Sequence, residues 1–338
     1  MRKKITILVT AAGGNLGRCM VHYLNTLPVE IIAADVSAEF LCAPRSSKRY
    51  LVPRADSLNY FKALNAIIKK NKVDMVLFES DIEIKLVSAY PEKVAARVWL
   101  PDHDSVVLMQ DKFKCNQLWG RAHVPVPHSR IVRNIKDLAD NIWLRPLHVE
   151  GGGGKMAMHA KKRKEAEEWI ALHRGETFTM NEYLPGRIFG FDSVWKEGEL
   201  IGYGLKERLK YVPISQAGAE VSTSIVRTSE DKRPVEIGIA AIRALTPNPD
   251  GVFSVDMKEN SRGVPCVTEI NPGRFLTTSL LLFAETGYHL PFDYINLALG
   301  KRVHKRKPYT KERSLYFIKG ATRLLEKKDL VIENAKDL

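Results

Sequence analysis

Three continuous apolar runs near the start of the chain, residues 5–10, 29–35 and 73–78, constrain its fold more than anything else in it. Runs that stay apolar, rather than alternating with polar residues, are what parallel strands buried on both faces require. Between them lie stretches of helical period: residues 15–27, closed by Pro28, and 58–70, opened by Asp56 and Ser57. A fourth strand is expected at 98–100, ending at Pro101 and Asp102. This strand–helix–strand order predicts a small, doubly wound parallel sheet over residues 1–105. Asp104 or Ser105 then caps a helix expected to reach about Trp119, ended by Gly120 and by Pro125 and Pro127.

The pattern changes from Ser129 onward. Short strands are expected at 129–132, 142–147 and 156–160, with a helix-like stretch at 135–139 and a charged helix at 161–173. Longer strands follow at 178–184, 189–196 and 200–206, the last two joined by a turn at Glu197-Gly198. A helix (231–245), two strands (251–258 and 264–270) and two helices (277–285 and 291–299) complete the body. Boundaries near 105 and 176 divide the chain into 1–105, 106–176, 177–300 and a basic extension, 301–338.

Charge and cysteine content narrow the function classes. The chain has 338 residues, 52 of them Lys or Arg against 39 Asp or Glu, a net charge of +13. Such a surplus suits phosphate-rich ligands, anionic surfaces or nucleic acid. Bases cluster at 155–164 and 301–313, but aromatic residues are not interleaved with them as a stacking platform would need and no nucleic-acid motif is present, so nucleic acid is not expected as a partner. A solvated basic face accounts for both clusters, and neutralising the second should leave catalysis intact. Four scattered cysteines form neither a metal-binding pair nor a disulfide framework. No apolar run approaches the roughly 20 residues needed to cross a bilayer, and the N-terminal run leads into a glycine turn without a cleavage site. A cytoplasmic protein is the expectation.

The first chemical motif is Thr10-Ala11-Ala12-Gly13-Gly14-Asn15-Leu16-Gly17, between a strand and a helix, with Asp35 ending the next strand. Glycines there let phosphate approach a helix N-terminus, and an acid at the second strand's end suits a ribose. The pattern resembles the short-chain dehydrogenase fingerprint, with Ala11 in place of its first glycine. No tyrosine has lysine four residues on, so the proton-transfer pair of such an oxidoreductase is missing. A purely structural turn explains the motif equally well.

A second set has more parts. Lys112 lies on a helix; Arg145 ends a strand and precedes Glu150, Gly151, Gly152, Gly153, Gly154 and Lys155. Cations flanking a glycine loop are what a nucleoside triphosphate requires, although four glycines also suit a plain hairpin. Asn181-Glu182-Tyr183-Leu184 runs into a Pro185-Gly186 bend, where extended backbone offers a C=O and an N–H to a purine edge. Asp256 and Glu269 each stand in otherwise apolar strands, and Asn271 shares the side-chain direction of Glu269. Two carboxylates with an amide oxygen form a set suited to Mg²⁺ bridging phosphates; buried acids paired with Arg or Lys are the alternative.

Taken in order, Lys112, Arg145, the four glycines, Glu182-Tyr183-Leu184, Asp256, Glu269-x-Asn271 and Arg274 resemble the ATP-grasp superfamily. The likeness is nearest to the branch with the carbamoyl-phosphate synthetase large chain and other carboxylate–amine ligases, and covers roughly residues 1–300. It implies an α/β chain: an N-terminal Rossmann-like parallel sheet domain, then a two-lobed α+β ATP-grasp domain with its glycine-rich loop in the small lobe (106–176) and its Mg/ATP site in the large lobe (177–300). By resemblance, Lys112 and Arg145 contact phosphates, Gly151 to Gly154 close over them, and Asn181, Glu182, Tyr183 and Leu184 hold adenine. Asp256, Glu269 and Asn271 bind Mg²⁺, with Mn²⁺ as a substitute ion. Arg274, Lys206 and Arg208 steady the transferring phosphoryl group or an acyl phosphate. The implied reaction joins a small-molecule carboxylate to an amine at the expense of ATP, in a chain that either stands alone or forms a homodimer. One departure is plain: the family's glutamate for the ribose hydroxyls is replaced by Ile188. Asp192, four residues on and on the same strand face, is the nearest substitute. A non-catalytic basic binding protein would use the charge and leave the acids unexplained.

Overall fold

The computed structural model of the chain describes residues 4–42, 44–147, 156–213, 221–303 and 316–318. Its first sheet contains β1 (Ile5–Val9), β2 (Val29–Asp35), β3 (Lys48–Leu51) and β4 (Met75–Leu77), all parallel, in the order β3-β2-β1-β4. Helices α1 (Asn15–Leu24), α2 (Ala38–Leu41), α3 (Tyr60–Asn71) and α4 (Asp81–Ala89) connect and cover it. Ile7, Val9 and Ala33 pack with Met20 and Tyr23 of α1, while Leu8, Ile32 and Val76 pack with Leu64 and Ile68 of α3. Burial on both faces is why β1, β2 and β4 are predominantly apolar.

The strand expected at 98–100 does not form. Arg97 makes a single bridge to Met75, and the chain then leaves the sheet. Trp99 draws it away: its indole N–H donates to Asp250 at 2.7 Å and its ring stacks on Tyr294 at 5.0 Å. The single helix expected to reach Trp119 is two, α5 (His103–Gln110) and α6 (Lys112–Arg121). Asp111 interrupts them in extended conformation, and its carboxylate accepts from the Lys114 N–H at 2.9 Å, capping α6.

A smaller antiparallel sheet follows, built from β5 (Ser129–Ile131), β6 (Ile142–Pro146), β7 (Met158–Ala160) and β8 (Phe178–Glu182) in the order β5-β8-β6-β7. Helix α7 (Arg163–Leu172) backs it through Ala166, Trp169 and Ile170. The third sheet is antiparallel and six-stranded, with β9 (Ile188–Lys196), β10 (Glu199–Pro213), β11 (Val221–Thr228), β12 (Gly251–Glu259), β13 (Pro265–Pro272) and β14 (Tyr316–Ile318) in the order β13-β12-β9-β10-β11-β14. On one face Phe189, Phe191, Trp195, Phe253, Val255 and Met257 pack with α6 and with α8 (Lys232–Leu245). The other face meets α9 (Thr277–Thr286) and α10 (Leu290–Ala298), which in turn pack on α1.

Candidate functional site

The face of the large sheet opposite α8 carries the polar residues, and strand register places them in three cross-strand rungs. Arg208, Ile188 and Lys258 share the first; Lys206, Gly190, Asp256 and Glu269 the second; Gly204, Asp192, Ser254 and Asn271 the third. Asp256 stands directly opposite Glu269, as the two-residue period of the strands led one to expect. Above the first two rungs lies a cavity of about 430 Å³, roofed by Trp143, Arg145, Thr179 and Asn181 of the small sheet and closed at one end by Lys112 and Gln110.

Nine of the candidate residues reach this cavity: Lys112, Arg145, Asn181, Glu182, Tyr183, Leu184, Arg208, Asp256 and Glu269. Gly151, Gly152, Gly153 and Gly154 lie outside the described residues. The acids are already paired with cations. Arg208 Nη2 donates to Asp256 Oδ1 at 2.5 Å, and the Lys112 ammonium forms an ion pair with Glu269. Lys112 holds the Glu269 carboxyl well below the usual range, whereas burial pushes Asp256 up, assisted by the neighbouring Glu269 charge. Arg208 Nε is buried without a partner, so the guanidinium retains a donor for an anion in the cavity.

At the far end, the Tyr183 ring stacks on His159 with centroids 3.6 Å apart, and Lys258 Nζ stands 5.0 Å from the same ring. The Asn181 side chain is spent inside the small sheet, donating to Trp143 O at 3.0 Å and accepting from Ser129 Oγ at 2.7 Å. Its backbone is paired within the sheet as well, with Ser129 on one side and Trp143 on the other.

Three candidates do not line the cavity. Lys206 is fully buried, donating to Ser279 Oγ and lying 3.8 Å from Asp192. A Cβ on Gly190 would fall 2.9 Å from Lys206 Cε, so glycine at that position is what lets the lysine cross the sheet. Burial pushes the Lys206 ammonium down to about 8. Asp192, the substitute considered for the ribose acid, belongs to this internal network: it accepts from Ser254 Oγ and Leu276 N, both at 2.7 Å, and faces no ligand. An isolated buried ammonium needs such an anion, and pairing consumes both groups. Asn271 accepts from Arg274 at 2.7 Å, and Arg274 is itself clamped to Asp81 at 2.8 and 3.1 Å, at the junction with α4.

Lys258, Gln110 and Asp81 have places here that the sequence reading did not assign. Lys258 was within reach of it, being two residues beyond Asp256 and hence on the same strand face. Asp81 carries no local signal, because its partner is 193 residues away. Among the described residues no three acidic, His or Cys side chains converge, so a metal at this site would rest on two carboxylates and on oxygens supplied by its ligand.

The glycine turn after β1 is satisfied internally. Gly13 N donates to Asp35 Oδ2 at 2.8 Å, Gly14 N to Ala11 O and Ala12 N to Ala34 O, both at 3.0 Å. A Cβ on Gly13 would lie 2.6 Å from Phe40, which covers the turn. Ala11, where the dinucleotide fingerprint has glycine, holds a φ of 46°. The Ala12, Gly13 and Gly14 amides are thus engaged, and Asp35 is turned onto the turn rather than toward a ribose.

No protein-family model and no curated protein matches the chain. Solved structures do. The L-amino acid ligase from Bacillus licheniformis superposes with a TM-score of 0.67 at 12% identity, over 94% of this chain and 80% of that one. N5-carboxyaminoimidazole synthetase from Staphylococcus aureus, complexed with ADP, gives 0.67 at 15% identity over 94% and 83%. The biotin carboxylase domain of the Hydrogenobacter thermophilus 2-oxoglutarate carboxylase, with MgADP, ADP and bicarbonate, gives 0.64 at 14% over 93% and 74%. The chain has an ATP-grasp fold. Within that ATP-grasp fold the cavity lies between the two antiparallel sheets, and α4 of the parallel-sheet part meets its Lys112–Gln110 end through Asp81.

Proposed function

We propose that this protein is an ATP-dependent ligase that joins a carboxylate to an amine through an acyl phosphate, releasing ADP and phosphate. The supporting observation is the cavity wall itself: Asp256 and Glu269 side by side, each matched by a cation, beside a buried Arg208 Nε with no partner. Bound MgATP would supply the phosphoryl group, and Asp256 and Glu269 are the side chains that would hold its Mg²⁺, or Mn²⁺ in its place. Lys112 and Arg208 would then turn from the acids toward phosphate oxygens, and Arg145, which lines the same cavity, would join them there. Tyr183 and Leu184 offer backbone groups to the base, and Tyr183, braced against His159, forms a flat wall there. Lys258 and Ile188 stand where the ribose acid would be, so the sugar meets a donor and an apolar side chain. Arg274, fixed by Asp81, neutralises charge at the reacting end, and Lys206 acts as a structural cation, buried with Asp192 and Ser279 on the same face of the sheet.

The solved relatives include a ligase of amino acids, a synthetase with ADP and a carboxylase domain with MgADP. They support the same chemistry here, with positioning and charge neutralisation as the protein's main contribution. Screening Mg²⁺-dependent ADP release against paired panels of small carboxylates and amines tests the reading. Amine- and carboxylate-dependent release supports it; oxidation or reduction of a nicotinamide cofactor by the same protein would overturn it.

A further inference from the structure

Charge is matched at one end of the cavity and unmatched at the other. Over the second rung, Asp256 and Glu269 meet Arg208 and Lys112, so each acid has its cation. Over the first rung, Lys258 lines the same cavity, and among the described residues no carboxylate pairs with it. Its ammonium is half-buried, 5.0 Å from the centre of the Tyr183 ring, and burial alone pulls it below the ordinary lysine value. His159, stacked on that ring, is lowered by burial and then by the charges of Lys161 and Lys258. The field at this end is therefore positive. Glu182, the acid that lines it, is turned to the His128 N–H, 3.3 Å from its Oε2.

A cation drawn out of water without a partner is costly, and buried polar groups in native proteins are nearly always satisfied. What this end of the cavity lacks is an acceptor, which a ligand can supply. Strand geometry says which part of the ligand. Lys258 stands two residues beyond Asp256 on β12, roughly 6–7 Å along the cavity floor. With phosphate oxygens over Asp256 and Glu269, that step is the reach from a β-phosphate to the sugar of the same nucleotide. Ile188 completes the rung between Arg208 and Lys258, so the sugar's other neighbour is apolar.

A carboxylate at this place would accept the protons of sugar hydroxyls, whereas an ammonium has three donors and no acceptor. We propose that Lys258 determines sugar specificity with this inverted polarity: its ammonium donates to the 2′ or 3′ oxygen of the ribose, and the site requires that oxygen but not its proton. The assignment rests on the ATP reading and deepens it, and it extends the acceptable ligands to nucleotides alkylated on that oxygen, whose alkyl group would lie against Ile188.

The test is calorimetric titration of the full chain with the Mg²⁺ complexes of ATP, 2′-deoxyATP, 3′-deoxyATP and the 2′- and 3′-O-methyl ethers of ATP. One deoxy form should bind about ten- to a hundredfold more weakly than ATP, while the methyl ether at the same position should keep most of the affinity. Lys258→Met should remove the difference between ATP and that deoxy form, and its remaining binding of both certifies the fold. A second readout needs no variant. The 2′,3′-dialdehyde of ATP, allowed to condense with amines of the wild type and reduced with borohydride, should label Lys258 in a manner that MgATP prevents, as read by peptide mass mapping. Equal affinity for ATP and both deoxy forms, an ether as weak as its deoxy counterpart, discrimination that survives in Lys258→Met, or a MgATP-protected label on other lysines alone would overturn the proposal. Absence of MgATP binding by the wild type would instead overturn the nucleotide reading beneath it.

Discussion

Glu269 is the residue on which the proposed metal role bears most directly. It pairs with Lys112, and that pairing holds its carboxyl down at about 2. A depressed acid contributes stability above its ordinary value, near 4.5, and loses it as pH falls toward 2. Because Lys112 is 37% exposed, screening keeps the contribution small, below about 1–2 kcal/mol. Glu269→Gln should therefore lower the melting temperature only slightly and flatten the acid limb of stability. Its Mg²⁺-dependent turnover should fall by about 10²–10³. A large loss of stability with near-normal turnover would contradict the metal assignment and leave a salt bridge in its place. Glu79 has the opposite sign. Its folded value of about 8 lies above the unfolded one, so the native state holds a proton that the unfolded chain has released between pH 4.5 and 8. Stability should fall across that window by up to roughly 1.4 kcal/mol per pH unit from this group. Urea midpoints of the wild type and Glu79→Gln, measured from pH 5 to 9, should diverge steadily as pH rises; parallel curves would show that Glu79 ionises freely.

At the scale of elements, the break between α5 and α6 sets Lys112 at the first turn of α6, beside Glu269. Asp111 makes the break and caps the second helix. Asp111→Ala should cost about 1 kcal/mol of stability and weaken ATP several-fold. Asp102→Ala removes the cap of α5, a residue outside the cavity, and should cost similar stability without changing ATP affinity. Equal ATP affinity in the two variants would show that the break does not position Lys112. The same elements show what a sequence can reveal. β1, β2, β4, β9, β12 and β13 are mostly apolar, and all were legible, as was the alignment of Asp256 with Glu269. The Glu197-Gly198 turn was legible too, and both residues have positive φ. β3 was not, because an exposed edge of Lys48-Arg49-Tyr50-Leu51 has no apolar period. α4 was missed because Asp81-Ile82-Glu83-Ile84 alternates like a strand. Its helical form depends on Ile84 and Val87 packing against the sheet, which is a long-range effect. The Lys206–Asp192 network was hidden for a related reason. Strand period put Asp192 on the cavity face correctly, but only the position of Leu276 and Ser279 above it turns that acid inward.

For the whole molecule, the three sheets and their packing make one frame. α1 packs on α9, Trp99 reaches Asp250, and Arg274 reaches Asp81, so the parallel sheet is fastened to the large one along one side of the cavity. No helix among the described residues is long and apolar enough to cross a membrane. The basic segment at 304–313, expected to be a surface feature, lies outside the described residues. A ligand held between the small and large sheets bridges parts that the chain alone joins more weakly, so binding should stabilise the molecule as a whole by mass action. Calorimetric titration of the full chain with MgATP and, separately, with NADPH measures this directly. The account predicts saturable binding of MgATP, weakened about ten- to a hundredfold by Arg208→Met, and no binding of NADPH. Binding of NADPH with no response to MgATP would contradict it.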